Sequence, residues 1–233
     1  LVGSEMCIRD RYDTNPEVIL AREYDASINM GNNVSNSIPG AIMGMSRDCF
    51  EEYLCATTGK PISQCGCHNP DMGQIQEMEN RDGRLLQTVC LPKAGEYSRY
   101  LFREVNGVMT GGASSIFGLL EGTEKKPFYG TSSTGYAIAK FYKASEHAVG
   151  NHKGSIDAPV MRYAEALLIR AEAGAELGKD PELDKTVNAL RSRVGFSHKL
   201  TMEPDEDPDL VAKYPNVTGP NANLIREIRR ERR

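Results

Sequence analysis

Apolar residues recur at spacings of three and four along one long stretch, "VMRYAEALLIRAEAGAEL". Val160, Tyr163, Ala164, Leu167, Leu168, Ala171 and Ala175 share one face of a helix. Arg162, Glu165, Arg170, Glu172 and Glu176 fall on the other face or its edges. Pro159 suits a first helical turn, where its missing N–H costs nothing, and Gly178 suits the left-handed position just past the end. The spacing predicts a helix over 159–178. Its alanines at 164, 171 and 175 leave the apolar face shallow enough for a close neighbour. A second pattern follows the polar turn "GKDP": Leu183, Val187, Leu190 and Val194 step by four, three and four, and Gly195 marks the stop. Two such helices predict an αα-hairpin over 159–195.

The rest of the chain is more broken. The short apolar run Val18–Ala21 in "NPEVILAREYD" reads as a strand or a buried helical turn, and residues 26–46 as loop. "SRDCFEEYL" predicts a short helix with Ser46 as its N-cap. "RDGRLLQTVCLP" (81–92) reads as a turn, then a strand ending at Pro92. Residues 95–105 and 130–143 read as extended, and 106–115 as loop. The acidic, proline-rich stretch 202–220 is long for a loop within a domain, a length often tied to binding. "ANLIREIRRERR" predicts an amphipathic helix through Leu224, Ile225 and Ile228, with its charges on a solvated face.

Composition narrows the class only a little. The 233 residues suffice for one large domain or two small ones, and 39% hydrophobic content with 22 Gly implies much loop around a modest core. A net charge of −4 gives no reason to expect nucleic acid, and "REIRRERR" is the one basic exception. No run approaches the roughly 20 apolar residues of a membrane span, and no signal peptide is seen. "LVGSEMCIRD" lacks periodicity and matches a reading frame of a sequencing adapter. Residues 1–10, Cys7 included, are therefore expected to be artefact, and 11–233 a partial domain of a longer protein.

Six segments carry a family resemblance: "NPEVILAREY", "RDGRLLQTVCLP", "TGYAIAKFYK", "APVMRYAEALLIRAEAGAELG", "VNALRSRVG" and "LIREIRRERR". In this order, across 12–233, they resemble the C-terminal half of the SusD/RagB family of nutrient-binding outer-membrane lipoproteins. The Tyr-, Ala- and Leu-rich hairpin also resembles a tetratricopeptide-type unit. The family's N-terminal half, its lipid-bearing cysteine and a terminal Arg–Asp–Leu–Arg-like motif are not in this sequence. The resemblance implies a mainly α fold: a SusD-like helical scaffold with a tetratricopeptide-like αα-hairpin, long loops and a few short strands. It implies a non-enzymatic, cofactor-free binder of glycan, or of peptide in some members. Such a protein delivers its ligand to a SusC-like TonB-dependent transporter and is held at the outer-membrane surface by an N-terminal lipid anchor. The hairpin by itself would also suit a helical-repeat scaffold for peptides or proteins.

Glycan capture needs aromatic faces and planar polar groups. The chain has no Trp. In the family, contacts come partly from variable loops between the first two segments; here that interval holds Phe50, Tyr53, Asn69 and Asp71. Packing of Phe50 and Tyr53 onto a core is the other reading. Tyr97 and Tyr100, three apart, fall on opposite faces of any strand. Arg162, Tyr163, Glu165, Leu168 and Glu172 are expected to be scaffold.

Cysteines Cys49, Cys55, Cys65 and Cys67 sit close in sequence, with Cys90 further on. The C-x-C-H run with a distant C-x5-C fits structural zinc poorly, so no metal is expected. Disulfides suit an exported protein: Cys49 or Cys55 with Cys65 or Cys67 would staple a loop, with thiols as the other reading and connectivity open. No catalytic pair emerges. Glu51 and Glu52 point apart on a helix, and Glu165 and Glu172 lie about 10 Å apart along the axis, beyond the roughly 5–9.5 Å of glycosidases. His68, His147, His152 and His198 show no ligand spacing, "GVMTGG" lacks a phosphate-loop Lys, and "DEDPD" lacks calcium-loop spacing and reads as a solvated acidic loop.

Overall fold

The apolar run Val18–Ala21 resolves as strand β1 (Val18–Arg22). In this computed structural model the described residues are 15–37, 44–68, 74–89, 103–105, 108–110, 136, 138, 140–141 and 152–233. They divide into two units: the described residues up to Ala21 with Pro159–Arg233, and those within Arg22–Ala158. The predicted strands and turns at 91–102, 111–135 and 142–151 lie outside the described residues.

Within the second unit, Asp25 accepts a hydrogen bond from the Ser27 N–H and caps a short 3-10 turn, Ala26–Ile28, in a stretch expected to be loop. Helix α1 (Val34–Ser37) follows. Helix α2 (Arg47–Glu51) starts where predicted, Ser46 Oγ accepting the Cys49 N–H at 3.2 Å. After α3 (Gln74–Met78) comes a correction: residues 83–88, expected to lead into a strand, form helix α4 (Gly83–Thr88). The Asp82 carboxylate accepts the Arg84 N–H at 2.9 Å, and the Thr88 hydroxyl donates back to the Arg84 carbonyl at 2.8 Å. Those local bonds favour helix over the β preference of the Thr–Val pair. Among the described residues of this stretch, strand character is limited to the bridge Val89↔Ile138. Strands β2 (Arg103–Val105) and β3 (Val108–Thr110) pair antiparallel, Val105 opposite Val108, so part of the expected loop 106–115 is strand. The sequence between them is Asn-Gly, the dipeptide favoured in two-residue hairpins. Met45, Phe50, Met78, Leu85, Val89 and Tyr136 form this unit's core.

Strand β4 (Ala158–Arg162) pairs with β1. Hydrogen bonds flank the pair at both ends, Tyr163 N–H to Glu17 O at 2.7 Å and Tyr24 N–H to Asp157 Oδ1 at 2.8 Å, and make it antiparallel. The long helix therefore begins four residues later than expected: α5 runs Tyr163–Glu176. Pro159 fits both readings, since a two-stranded pair leaves edges that need no N–H. Val160 and Tyr163, expected on the packing face, are 59% and 53% exposed, and Arg162 stands at the N-cap position rather than inside the helix.

Three more helices complete this unit: α6 (Val187–Arg193), α7 (Pro208–Lys213) and α8 (Ala222–Arg232). Gly178 and Gly195 hold the left-handed conformations their positions predicted, φ 63° and 75°. Leu168, Ala171 and Ala175 of α5 form a core with Val187, Leu190, Leu224, Ile225 and Ile228. The main neighbour of α5 is α8, with α6 a lesser one. The expected acidic loop is interrupted by α7, capped by Asp207, whose carboxylate accepts the Asp209 N–H at 2.9 Å. Helix α8 also corrects the expectation of a solvated charged face: Arg226, Glu227 and Arg230 are buried.

Candidate functional site

The charges of α8 are placed to hold helices together. Arg229 Nε donates to Glu172 at 2.7 Å and its Nη2 to Glu176 at 3.1 Å, while Arg232 also pairs with Glu172. Burial would raise the Glu172 carboxyl, but hydrogen bonds from Arg229 and Arg232 outweigh it and keep the group below the ordinary glutamate range. Arg230 pairs with Asp207, and Arg191 donates to Glu231 at 3.0 Å with both side chains buried. Arg193 donates to Glu17 at 2.8 Å, and Arg162 lies 3.7 Å from the same carboxylate. These are clamps between segments. Glu165, two turns earlier on the same side of α5, is exposed.

A second buried polar centre surrounds Phe50. The Phe50 ring is 0% exposed and stacks on Tyr136, with centroids 4.2 Å apart and planes 18° from parallel. It packs in the apolar core described above, with the Arg81 guanidinium also 4.7 Å from its centroid. The ring has no face to lend to a sugar, which corrects its reading as a ligand contact. Tyr53 packs at the edge of the same core, its hydroxyl 3.5 Å from Thr88 Oγ1. Burial pushes the Tyr53 phenol up. Asn69 and Asp71 lie outside the described residues. Arg47 donates to Glu77 at 2.8 Å, and the Tyr136 hydroxyl donates to Glu77 at 3.0 Å. Arg81, buried, donates to the carbonyls of Phe50 (2.8 Å), Tyr53 (2.7 Å) and Glu77 (2.9 Å). Desolvation brings the Arg81 guanidinium down to about 10 against the pull of Glu77. Sequence reasoning missed Arg47, Glu77, Arg81 and Tyr136. Arg81 reaches the Glu77 carbonyl four residues back, but its bonds to Phe50 and Tyr53, and those of Arg47 and Tyr136 to Glu77, join positions 28 to 59 residues apart that no local spacing marks.

The α5–α6 turn borders an open cleft of about 470 Å³, with Asp180, Glu182, Asp184, Lys185 and Lys199 around its polar rim and Leu183 and Leu200 among its lining. Lys199 Nζ lies 2.9 Å from Asp184 Oδ1. The buried Asn188 amide fixes one wall, accepting the Leu200 N–H at 2.8 Å and donating to the Leu200 carbonyl at 3.1 Å. Hydrogen bonds from Lys199 and Asn188 hold the Asp184 carboxyl below its usual range. Such a rim can meet hydroxyl groups, but the lining includes no aromatic ring.

The cysteines converge elsewhere. Cys49, Cys55, Cys65 and Cys67 are thiols, and no disulfide joins any of them. The pairing expected of Cys49 is not formed, since it packs against the Phe50 core. Cys55, Cys65 and Cys67 instead bring their sulfurs within 4.8 Å of one another. Cys65 Sγ lies 3.1 Å from His68 Nδ1 and accepts the Cys67 N–H at 3.3 Å. His68 Nε2 lies 3.1 Å from the Glu79 carbonyl. Burial would raise the Cys55 thiol, but the Thr58 hydroxyl and the Thr58 and Thr57 N–H groups bring it down to about 7.

Among the described residues, helices clamped by ion pairs and short strands define a mainly α scaffold. A model of the SusD family matches residues 16–233, and the chain belongs to that family. Among solved structures it is similar to a SusD-like carbohydrate binding protein of Bacteroides fragilis, with TM-score 0.57 and 22% identity, over 94% of this chain and 39% of that one. It is also similar to a second SusD-like protein of Bacteroides fragilis, with TM-score 0.57 and 21% identity, over 94% of this chain and 41% of that one. The chain thus spans about two fifths of the length of these proteins. The fold is SusD-like. A sequence comparison with curated proteins finds no match.

Proposed function

We propose that this chain is part of a cell-surface glycan-binding protein that passes oligosaccharide to a SusC-like TonB-dependent transporter without chemical change. The observation that carries the reading is the SusD-family match over 16–233. The likeness to a protein described as a SusD-like carbohydrate binding protein supports it. On this reading α5 and α6 are a tetratricopeptide-like hairpin within the scaffold, and the protein is held at the outer-membrane surface by a lipid anchor. Among the described residues no helix is long and apolar enough to cross a membrane. Asn69 and Asp71 remain the proposed ligand contacts. Calorimetric titration of the purified chain against a panel of glycans, with chromatography of the glycans afterwards, tests this reading. Saturable binding with every glycan recovered intact is expected. Released reducing ends, or binding confined to peptides, would overturn it in favour of an enzyme or a protein-binding scaffold. Co-purification of a TonB-dependent transporter from detergent-solubilised outer membranes tests the delivery step.

A further inference from the structure

We propose that Cys55, Cys65, Cys67 and His68 form a Cys3His site for structural zinc, independently of what the protein binds at the cell surface. Tetrahedral zinc with Zn–S bonds of about 2.3 Å sets its sulfur ligands about 3.8 Å apart. The three sulfurs already lie within 4.8 Å of one another, so closing on an ion requires movements of about an ångström or less. A fourth ligand stands on the Cys65 side of these sulfurs, outside the trio itself. His68 Nδ1 faces Cys65 Sγ at 3.1 Å, and its other ring nitrogen meets the Glu79 carbonyl at 3.1 Å. A carbonyl only accepts, so it places the imidazole proton on Nε2 and leaves the Nδ1 lone pair toward the sulfurs. That is the outer hydrogen bond by which a metal-binding histidine is oriented.

The backbone is built for thiolate as well. Cys65 Sγ accepts the Cys67 N–H at 3.3 Å across Gly66, whose φ of 67° makes the tight turn. Cys55 Sγ receives the N–H groups of Thr57 and Thr58 and the Thr58 hydroxyl. Gly59, φ 72°, returns its N–H to the Cys55 carbonyl at 2.8 Å. Three thiolates and one Zn²⁺ leave one net negative charge, and the buried Arg81 guanidinium interacts with both Cys65 and Cys55. The backbone of Cys55 bridges to Arg81, and the Ala56 N–H donates to the Asn80 carbonyl at 2.6 Å. An ion here would therefore tie the turns of 55–68 to 79–81. A disulfide could use only two of the three sulfurs and would leave the third beside an oriented imidazole with no role. Soft sulfur with imidazole in a tetrahedron selects zinc over the oxygen-seeking divalent ions.

The test uses the full chain, purified under reducing conditions without chelator. Plasma mass spectrometry should find one zinc per chain. After removal of the zinc, titration with cobalt(II) should give a thiolate-to-cobalt charge-transfer band and the intense visible bands of a tetrahedral site, saturating at one equivalent. Cys67 is exposed, so Cys67→Ser should fold and should lose about one third of the charge-transfer intensity, as three thiolates become two. His68→Ala should keep that intensity and shift the visible bands. Cys49→Ser should leave every reading unchanged. Weak octahedral cobalt spectra with all thiols reduced would overturn the proposal. So would non-reducing peptide mapping that finds Cys55 joined to Cys65 or Cys67 in protein isolated from its own cells.

Discussion

Arg81 and Glu172 show what single charged residues do in this chain. Arg81 gathers the carbonyls at the end of α2 and α3 with one guanidinium, and nothing in the pattern around "MENRDG" announces it. Its acceptors are backbone atoms brought in by the fold. Glu172 is more legible, since helical spacing already places it in the scaffold helix, yet its partners lie 57 and 60 residues away. Hydrogen bonds from Arg229 and Arg232 hold its carboxyl below the ordinary glutamate range in the folded chain. A depressed folded pKa adds stability that is complete above the unfolded pKa and is lost as pH falls through the folded one. Replacing Glu172 with Gln is therefore expected to cost about 1–2 kcal/mol near neutral pH, after allowance for the partly exposed arginines. Urea denaturation of both proteins should show that difference shrinking below about pH 4. A difference that persists undiminished in acid would mean the ion pairs are not its source.

Among the elements, α5 is the one most plainly written in the sequence. Its face, its length and its stop at Gly178 follow from spacing and glycine chemistry. Its start does not, because Pro159 is as acceptable at a strand edge as in a first helical turn. Helix α4 was hidden for another reason: a strand-like composition yields to one carboxylate, Asp82, at the N-cap. The expected partner of α5 was the next helix in sequence, and the main one is α8, which only the three-dimensional path brings alongside. Gly174 faces a different neighbour, the turn that follows α5. Alanine there should gain helix propensity of about 1 kcal/mol. Its Cβ, however, would stand 2.9 Å from Pro181 Cα and 3.1 Å from the Asp180 carbonyl, both backbone atoms. Overpacking of this kind costs about 1–3 kcal/mol, so Gly174→Ala is expected to lower the melting temperature. A rise would show that the turn at 180–181 yields freely.

At the scale of the whole chain, the order of six segments gave the family, while the candidate site gave little away. Cysteine spacing argues against zinc only when separation along the chain stands in for separation in space. Phe50 lies in an interval expected to be variable, but its ring belongs to a core. Two separate cores predict two groups of slowly exchanging amides. One should centre on Ala171, Ala175, Leu224 and Ile228, the other on Phe50 and Leu85. Hydrogen-exchange mass spectrometry checks this, and uniform exchange through Tyr163–Glu176 and Ala222–Arg232 would contradict it. The pairing of β1 with β4 has one more consequence. The chain departs at Arg22 and comes back at Ala158 through a doorway one strand spacing wide, about 5 Å. Between the two strands runs the segment 23–157. Doubling its length would add only about 0.6 kcal/mol of closure entropy. The closure of β1 on β4 therefore responds only weakly to the length of the sequence that separates the two strands.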